Sequence, residues 1–356
     1  MYGGGAERQL AYLAGQLGRI GWEVHVLITR RGDNWPRLKD SGAVIHEVSV
    51  RSAFDARLFG QLRRLVSDVK PDLIQAWLLQ MEVLGGLVAL ERRKPWVFSE
   101  RASEDAYPLS VRSLCRRVVA RFASAIVSNS AAGDHYWRQR VGTRIRRYVI
   151  PNGIPLAEIA AAPAETVEEI GIGWDEPLVL FAGRLEPQKN LDTLLDACEL
   201  VLSRDRRVKV LCCGQGSLRS TVDRWVETQK WGARFCAMGY TPRLWGLMKR
   251  AAVFVSPSLF EGSPNVVLEA MACGVPLVVS DIPEHRELLD DTTAILVTPQ
   301  SAEALAEAIQ AVIRDPAAAA ERARAAKERA GNYGLPAIAQ RYSDMYQEVL
   351  SAQGVR

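Results

Sequence analysis

Residues 260–279 read FEGSPNVVLEAMACGVPLVV. Two carboxylates, a helix start, a helix stop and a strand fall within this stretch. Ser263 has the side chain of an N-cap, and Pro264 suits the first helical position. Gly274 suits the position just past a helix end. Between them Val267, Leu268 and Met271 can share one apolar face. Glu261 stands in the loop before the helix, and Glu269 inside it, eight positions later. A helix start presents unpaired N–H groups and partial positive charge, which attracts phosphate. Acids beside a phosphate site can accept hydrogen bonds from the hydroxyls of a sugar and a ribose. The plainer reading is a surface loop and an ordinary amphipathic helix, and the residues upstream decide between the two.

Upstream, an apolar run at 178–182 leads into GRLEPQKN, residues 183–190. Gly183 lets the backbone turn closely at the strand end. Arg184 and Lys189 are five apart on one loop, before a helix whose expected N-cap is Asn190. Two fixed cations there can clamp a diphosphate, Arg as a fork and Lys as a point charge. A surface turn with two solvated charges is the alternative. The next strand, 208–213, ends in Gly214-Gln215-Gly216, in the context for backbone contact with a ligand or for a plain tight turn. Met238-Gly239-Tyr240 follows the strand after that, where Met238 offers either an apolar shelf for a nucleobase or core packing. Near the chain start, Gly3-Gly4-Gly5 precede a helix carrying Glu7, either approaching a phosphate or sugar or forming a frayed terminus.

The 356 residues suit two domains. Apolar content of 48% and charged content of 24% are those of a globular protein. The apolar runs are strand-sized, shorter than the roughly 20 residues of a membrane span, and no signal peptide is visible. Six cysteines with no C-x-x-C spacing, and four scattered histidines, point away from zinc and toward reduced thiols in a cytoplasmic protein. The net charge of +4 is unevenly spread: residues 1–152 hold 24 Lys and Arg against 14 Asp and Glu, leaving 21 against 27 for the remainder. The basic half is suited to an anionic partner. Arg112, Arg116, Arg117 and Arg121 fall at helical spacing beside Leu114, Val118, Val119 and Phe122. That pattern fits a helix lying on anionic lipid, or a solvated helix face. Nothing matches a nucleic-acid-binding module, so nucleic acid is not expected as a partner.

Strand-like runs alternate with helix-like segments, which predicts parallel sheets covered by helices. Strands are expected near 23–28, 44–48, 73–77, 96–99, 125–128 and 148–150, then near 178–182, 208–213, 234–238, 252–256, 276–280 and 294–297. Helices are expected near 6–20, 55–69, 80–91, 109–122 and 131–138, then near 190–203, 217–229, 241–250, 264–273, 284–289, 302–314, 316–330 and 335–351. PNGIP at 151–155 has turn chemistry. The expected domains are 1–152 and 153–334. A C-terminal helical segment, 335–356, is expected to pack back toward the first.

The chain resembles the retaining GT-B glycosyltransferases of family 4, the glycosyltransferase group 1 family. The resemblance rests on GRLEPQKN, GQG, EGSPNVVLE and EAMACGVPLVVSD in the second half, and on GGAER at 4–8, PDLIQAW at 71–77 and IPNGI at 150–154 in the first. It implies two Rossmann-like doubly wound domains facing a cleft, and transfer of a sugar from a UDP- or GDP-sugar to a hydroxyl with retention, without metal or other cofactor. Arg184 and Lys189 are then expected on the donor diphosphate, Glu269 on the ribose, and Glu261 on the transferred sugar. The backbone of Ser263, Pro264, Asn265 and Val266 is expected on the distal phosphate, and Gly4, Gly5, Gly183, Gly214, Gly216 and Met238 along the donor. Glu261, Arg184 and Lys189 are the expected catalytic residues.

Two departures from the family pattern bear on the acceptor and on the first sheet. Many members carry a histidine after the strand matching 96–99, whereas this chain reads FSERAS, making Glu100 and Arg101 the expected acceptor-side residues. Arg101 is suited to a phosphate or to pairing with Glu104. The family has an apolar strand before its glycine loop, and here Met1-Tyr2 lead straight to glycine. The expectation is a missing first strand, from a start assigned too late or from a fragment, that exposes neighbouring strand edges. The acceptor is expected to be a saccharide or lipid-linked sugar of envelope polysaccharide or glycolipid assembly, reached from the cytoplasm with a peripheral position on the inner membrane face. A non-catalytic nucleotide-sugar-binding protein is the alternative, and a GT-B epimerase a more distant one.

Overall fold

The computed structural model describes residues 4–50, 56–101, 110–165, 173, 175–229, 231–352 and 354. The readings placed on Met1, Tyr2, Gly3 and Glu104 therefore lie outside the described residues. The chain divides into two compact units, Met1–Gly153 with Tyr333–Arg356, and Ile154–Asn332.

The first unit runs α1 (Gly5–Arg19), β1 (His25–Ile28), α2 (Trp35–Lys39), β2 (Val44–Glu47), α3 (Ala56–Val69), β3 (Ile74–Trp77), α4 (Leu79–Glu91), β4 (Trp96–Glu100), α5 (Val111–Ala120), β5 (Ala125–Ser128), α6 (Ala131–Val141) and β6 (Arg146–Val149). The second runs α7 (Leu156–Ala161), β7 (Leu178–Ala182), α8 (Leu191–Arg204), β8 (Lys209–Cys213), α9 (Arg219–Thr228), β9 (Phe235–Met238), α10 (Leu244–Arg250), β10 (Val253–Ser256), α11 (Asn265–Cys273), β11 (Leu277–Ser280), α12 (Pro283–Arg286), β12 (Ile295–Val297), α13 (Ala302–Arg314) and α14 (Pro316–Ala330). The last helix, α15 (Leu335–Ala352), belongs to the first unit.

In the second unit six parallel strands lie in the order β12-β11-β10-β7-β8-β9. This is a doubly wound Rossmann-like sheet, with its strand order reversing beside β7. The central strands LVLFA, VFVS and LVVS are buried at every position, as a sheet covered on both faces requires. The register sets Ala182 beside Cys213, and Cys213 beside Met238. Loops beginning at Gly183, Gly214 and Gly239 therefore leave the same sheet edge. Four of this unit's cysteines, Cys198, Cys212, Cys213 and Cys273, are buried free thiols.

In the first unit the described strands form two parallel sheets, β1-β2 and β3-β4-β5-β6. Helix starts are fixed by side-chain caps: Ser110 accepts from Ser113 N and Ser130 from Gly133 N, both at 3.2 Å. Helix α15 closes this unit's core, with Tyr342, Met345 and Tyr346 packed among Leu13, Leu17 and Trp77. Trp22 Nε1 donates to Ser343 Oγ at 2.9 Å. Gln9 exchanges two hydrogen bonds with the backbone of Gly153, at 2.8 and 2.9 Å.

Candidate functional site

The site-bearing residues of the second unit gather where β7, β8 and β10 end. After β7 the chain turns at Gly183 and passes through a short 3₁₀ turn, Pro187–Lys189, into α8. Asn190 does stand at the N-cap position, but in the left-handed region with φ 54° and without a side-chain cap bond. Its amide instead donates to Pro257 O at 3.1 Å and Pro299 O at 2.6 Å, tying the loops after β10 and β12 to the start of α8. This fixes the loop that carries Arg184 and Lys189.

Lys189 and Glu261, 72 positions apart in sequence, form a direct buried ion pair. Ser258 Oγ donates to the same carboxylate at 2.7 Å, and Gln188 Nε2 reaches it at 3.3 Å while donating to Phe260 O at 2.8 Å. Burial alone raises a carboxyl. The Lys189 ammonium and the Ser258 hydroxyl, with a lesser influence from His285, outweigh it, holding Glu261 below its usual range. Arg184 is exposed at the mouth of this cluster, its guanidinium 3.5 Å from Gln188 Oε1.

Helix α11 begins one residue later than its sequence suggests. Pro264, not Ser263, occupies the N-cap, and no side chain caps it. Asn265 N donates to Ser263 O at 2.9 Å, while Val267 and Leu268 N both reach Pro264 O, so the proline carbonyl starts the helix. Asn265 and Val266, in the first turn, are half-buried. From Val267 to Cys273 every residue is buried, so α11 is an interior helix rather than an amphipathic one. Gly274 ends it at φ 74°. Glu269 is buried and accepts from Trp245 Nε1 at 2.8 Å.

The glycine loops have a structural cause. Gly183 N donates to Cys213 O at 3.0 Å, and Leu185 N to Gln215 O at 2.9 Å. A Cβ on Gly214 would run into Gly183 O, and one on Gly216 into the backbone of Leu185. Both residues are glycine because one loop lies directly on the other. Met238 is half-buried at the end of β9, its carbonyl accepting from Gly214 N at 3.1 Å, while Tyr240 beyond it is exposed.

Sequence reasoning missed Trp245, Ser258, Gln188 and His285. His285 is buried on α12; its Nδ1 donates to Ser280 O at 2.8 Å, and burial pushes its pKa down. Ser280 Oγ donates in turn to Ser258 O at 2.5 Å. Gln188, Ser258 and His285 surround Glu261 and Trp245 holds Glu269; of the four only Gln188 lies in a motif, GRLEPQKN. Among the described residues, no group of three or more His, Cys, Asp or Glu side chains is placed to hold a metal ion.

The first unit separates its expected residues. Gly4 is the N-cap of α1 and Gly5 its first residue. Glu100 is interior: its carboxylate accepts from Arg116 and from Trp137 Nε1, each at 2.8 Å. It stands on β4, a strand buried at every position. Arg116, at 1% exposure, also donates to Glu82 at 2.5 Å, and so does not join the outward basic face expected for it. Burial pushes Glu82 up to about 7 against the pull of Arg116. Arg101 is partly exposed; it donates to Tyr342 Oη at 3.0 Å and Asn152 Oδ1 at 2.5 Å, and lies 4.3 Å over the Trp77 ring.

Comparison with known proteins follows the same division. The family described as glycosyl transferases group 1 matches residues 164–350, and that described as glycosyltransferase family 4 matches residues 3–158. Alpha-D-kanosaminyltransferase of Streptomyces kanamyceticus is 26% identical over 242 residues, 66% of this chain and 62% of that protein. D-inositol 3-phosphate glycosyltransferase of Xylanimonas cellulosilytica is 28% identical over 254 residues, 67% and 60% of the respective chains. The matched region thus spans about three fifths of these relatives' length. Among solved structures, HepE of Anabaena in complex with UDP-glucose has a TM-score of 0.84 at 22% identity, covering 97% of this chain and 96% of that one. Sucrose-phosphate synthase of Thermosynechococcus elongatus has a TM-score of 0.77 at 24% identity, covering 98% and 94%. The fold is that of the GT-B proteins, with two Rossmann-like units, and the chain belongs to the group 1 glycosyltransferases.

Proposed function

We propose that this chain transfers a glycosyl group from a UDP- or GDP-sugar to a hydroxyl, with retention and without a metal ion. The observation that carries the reading is the Lys189–Glu261 pair beside exposed Arg184, at the sheet edge where α11 begins. As the glycosidic bond breaks, negative charge builds on the leaving diphosphate. Arg184, Lys189 and the positive end of the α11 dipole meet that charge with groups already oriented, which favours the transition state over the ground state. Lys189 is held by a buried partner and a short, tied loop, so little reorganisation accompanies the reaction. Glu261 is engaged by Lys189, Ser258 and Gln188. That suits a carboxylate that positions the sugar's hydroxyls, and leaves deprotonation of the incoming hydroxyl to the departing phosphate on the same face. Glu269, steadied by Trp245, is the acid for the ribose. The acceptor class in this reading is a saccharide or lipid-linked sugar of envelope polysaccharide or glycolipid assembly.

The test is a thermal-shift panel of UDP-, GDP- and ADP-sugars, followed by turnover of the stabilising donor. Lys189→Ala and Glu269→Ala are each expected to lower kcat/KM at least tenfold, about 1.4 kcal/mol. A chain that binds a sugar nucleotide but neither hydrolyses nor transfers it is a binding protein. One stabilised by no sugar nucleotide at all refutes the site.

A further inference from the structure

Helix α5 shows opposite faces to the protein and to the outside. Ser113, Arg116, Val119 and Ala120 are buried. Val111, Leu114, Val118 and Phe122, the last just past the helix end, are 77, 55, 43 and 60% exposed. At 3.6 residues per turn these four fall within an arc of about 80°. Arg117 and Arg121 lie along one flank of that arc and Arg112 along the other. No acid occurs between Val111 and Phe122. Next to α5 packs α4, touching it where Gly86 meets Val119. One turn beyond Gly86 Leu90 is exposed, as is Leu87, so the neighbouring helix also presents large apolar side chains to the outside.

We infer that this face of α4 and α5 docks on an anionic lipid bilayer. Large apolar side chains exposed in a row, not singly, mark an interaction surface. The chemistry of the rim identifies the occupant. Arginines bordering both sides of an apolar stripe place cations at headgroup depth while the stripe enters the acyl boundary, which is how interfacial helices bind. The fourth arginine of the segment, Arg116, is turned inward to Glu82 and Glu100. It anchors α5 to the unit and leaves the docking to its neighbours. The charge balance of residues 1–152, 24 basic against 14 acidic, draws the same unit toward an anionic surface. Docking needs no sugar nucleotide, so it stands or falls separately from the transfer reaction.

The experiment uses the whole chain with phosphatidylcholine vesicles, with and without phosphatidylglycerol, in a sedimentation assay. Binding is expected with phosphatidylglycerol at low salt, and at least tenfold less without it or at high salt. Arg117→Glu with Arg121→Glu, and separately Leu114→Gln with Phe122→Gln, are each expected to weaken binding at least tenfold with an unchanged circular dichroism spectrum. Should a double variant misfold, Arg121→Glu and Phe122→Gln alone carry the comparison. Cys115 is exposed on the same helix. A polarity-sensitive fluorophore there is expected to brighten on phosphatidylglycerol vesicles and not on phosphatidylcholine. The inference is overturned if the parent chain ignores anionic vesicles, if the variants bind as it does, or if Leu114→Gln with Phe122→Gln dissociates a dimer and leaves vesicle binding unchanged.

Discussion

Glu261 and Glu82 are both buried carboxylates paired to a cation, yet their surroundings push them in opposite directions. For Glu261, Lys189, Ser258 and His285 overcome burial and the pKa falls below 4.5. Its stabilisation is complete above the unfolded value and disappears as pH drops through the folded one, so the contribution of Glu261 to the second unit is lost only below about pH 4.5. For Glu82, burial prevails and Glu100 adds repulsion, raising it to about 7. The folded state then holds a proton more tightly than the unfolded chain. Stability is full below pH 4.5 and declines as pH rises to about 7. Urea titrations of Glu82→Gln between pH 4.5 and 7 should lack the decline that the parent shows; identical pH profiles would refute the assignment. The acids themselves are legible in the sequence, but their states are not. Glu261 is conspicuous beside a helix start, whereas its partner is 72 positions away. Glu100 ends a strand, and alternation cannot say which way it faces when all five positions of β4 are buried.

At the scale of elements, the long segments follow their periodicity closely, because a helix or strand of ten or five residues repeats its pattern often enough to be read. Helices α2 and α7, of five and six residues, span under two turns and leave no period to detect. The start of α11 moves by one residue because a proline carbonyl, not a serine hydroxyl, receives its first amides. The GQG loop is the opposite case: its position is plain in sequence, and its reason is loop-on-loop packing. Gly214→Ala is therefore expected to destabilise the second unit by about 3 kcal/mol or more, since Gly214 combines φ 155° with direct contact against Gly183 O. Gly60→Ala on α3, where nothing lies within 4 Å, should instead stabilise by up to about 1 kcal/mol. Chemical denaturation of both variants checks the pair, and equal midpoints would contradict it.

For the molecule as a whole, alternating strands and helices are enough to predict two doubly wound units, because parallel strands need covering helices between them. The particular partners that α15 meets in the first unit come from packing, with Trp22 meeting Ser343 across 321 positions. The distribution of sulfur between the units has its own consequence. The first unit has a single cysteine, Cys115, and it is exposed; the second has five, four of them buried. Burial pushes Cys212, Cys213 and Cys273 up to about 12, so they hold little reactive thiolate at neutral pH. A maleimide should modify Cys115 at once in the native protein and reach the buried four only as the second unit opens. Rapid modification of all six without denaturant would show that interior to be open. Otherwise alkylation during a denaturant ramp keeps time for the second unit alone, and mass spectrometry can date its opening independently of the first.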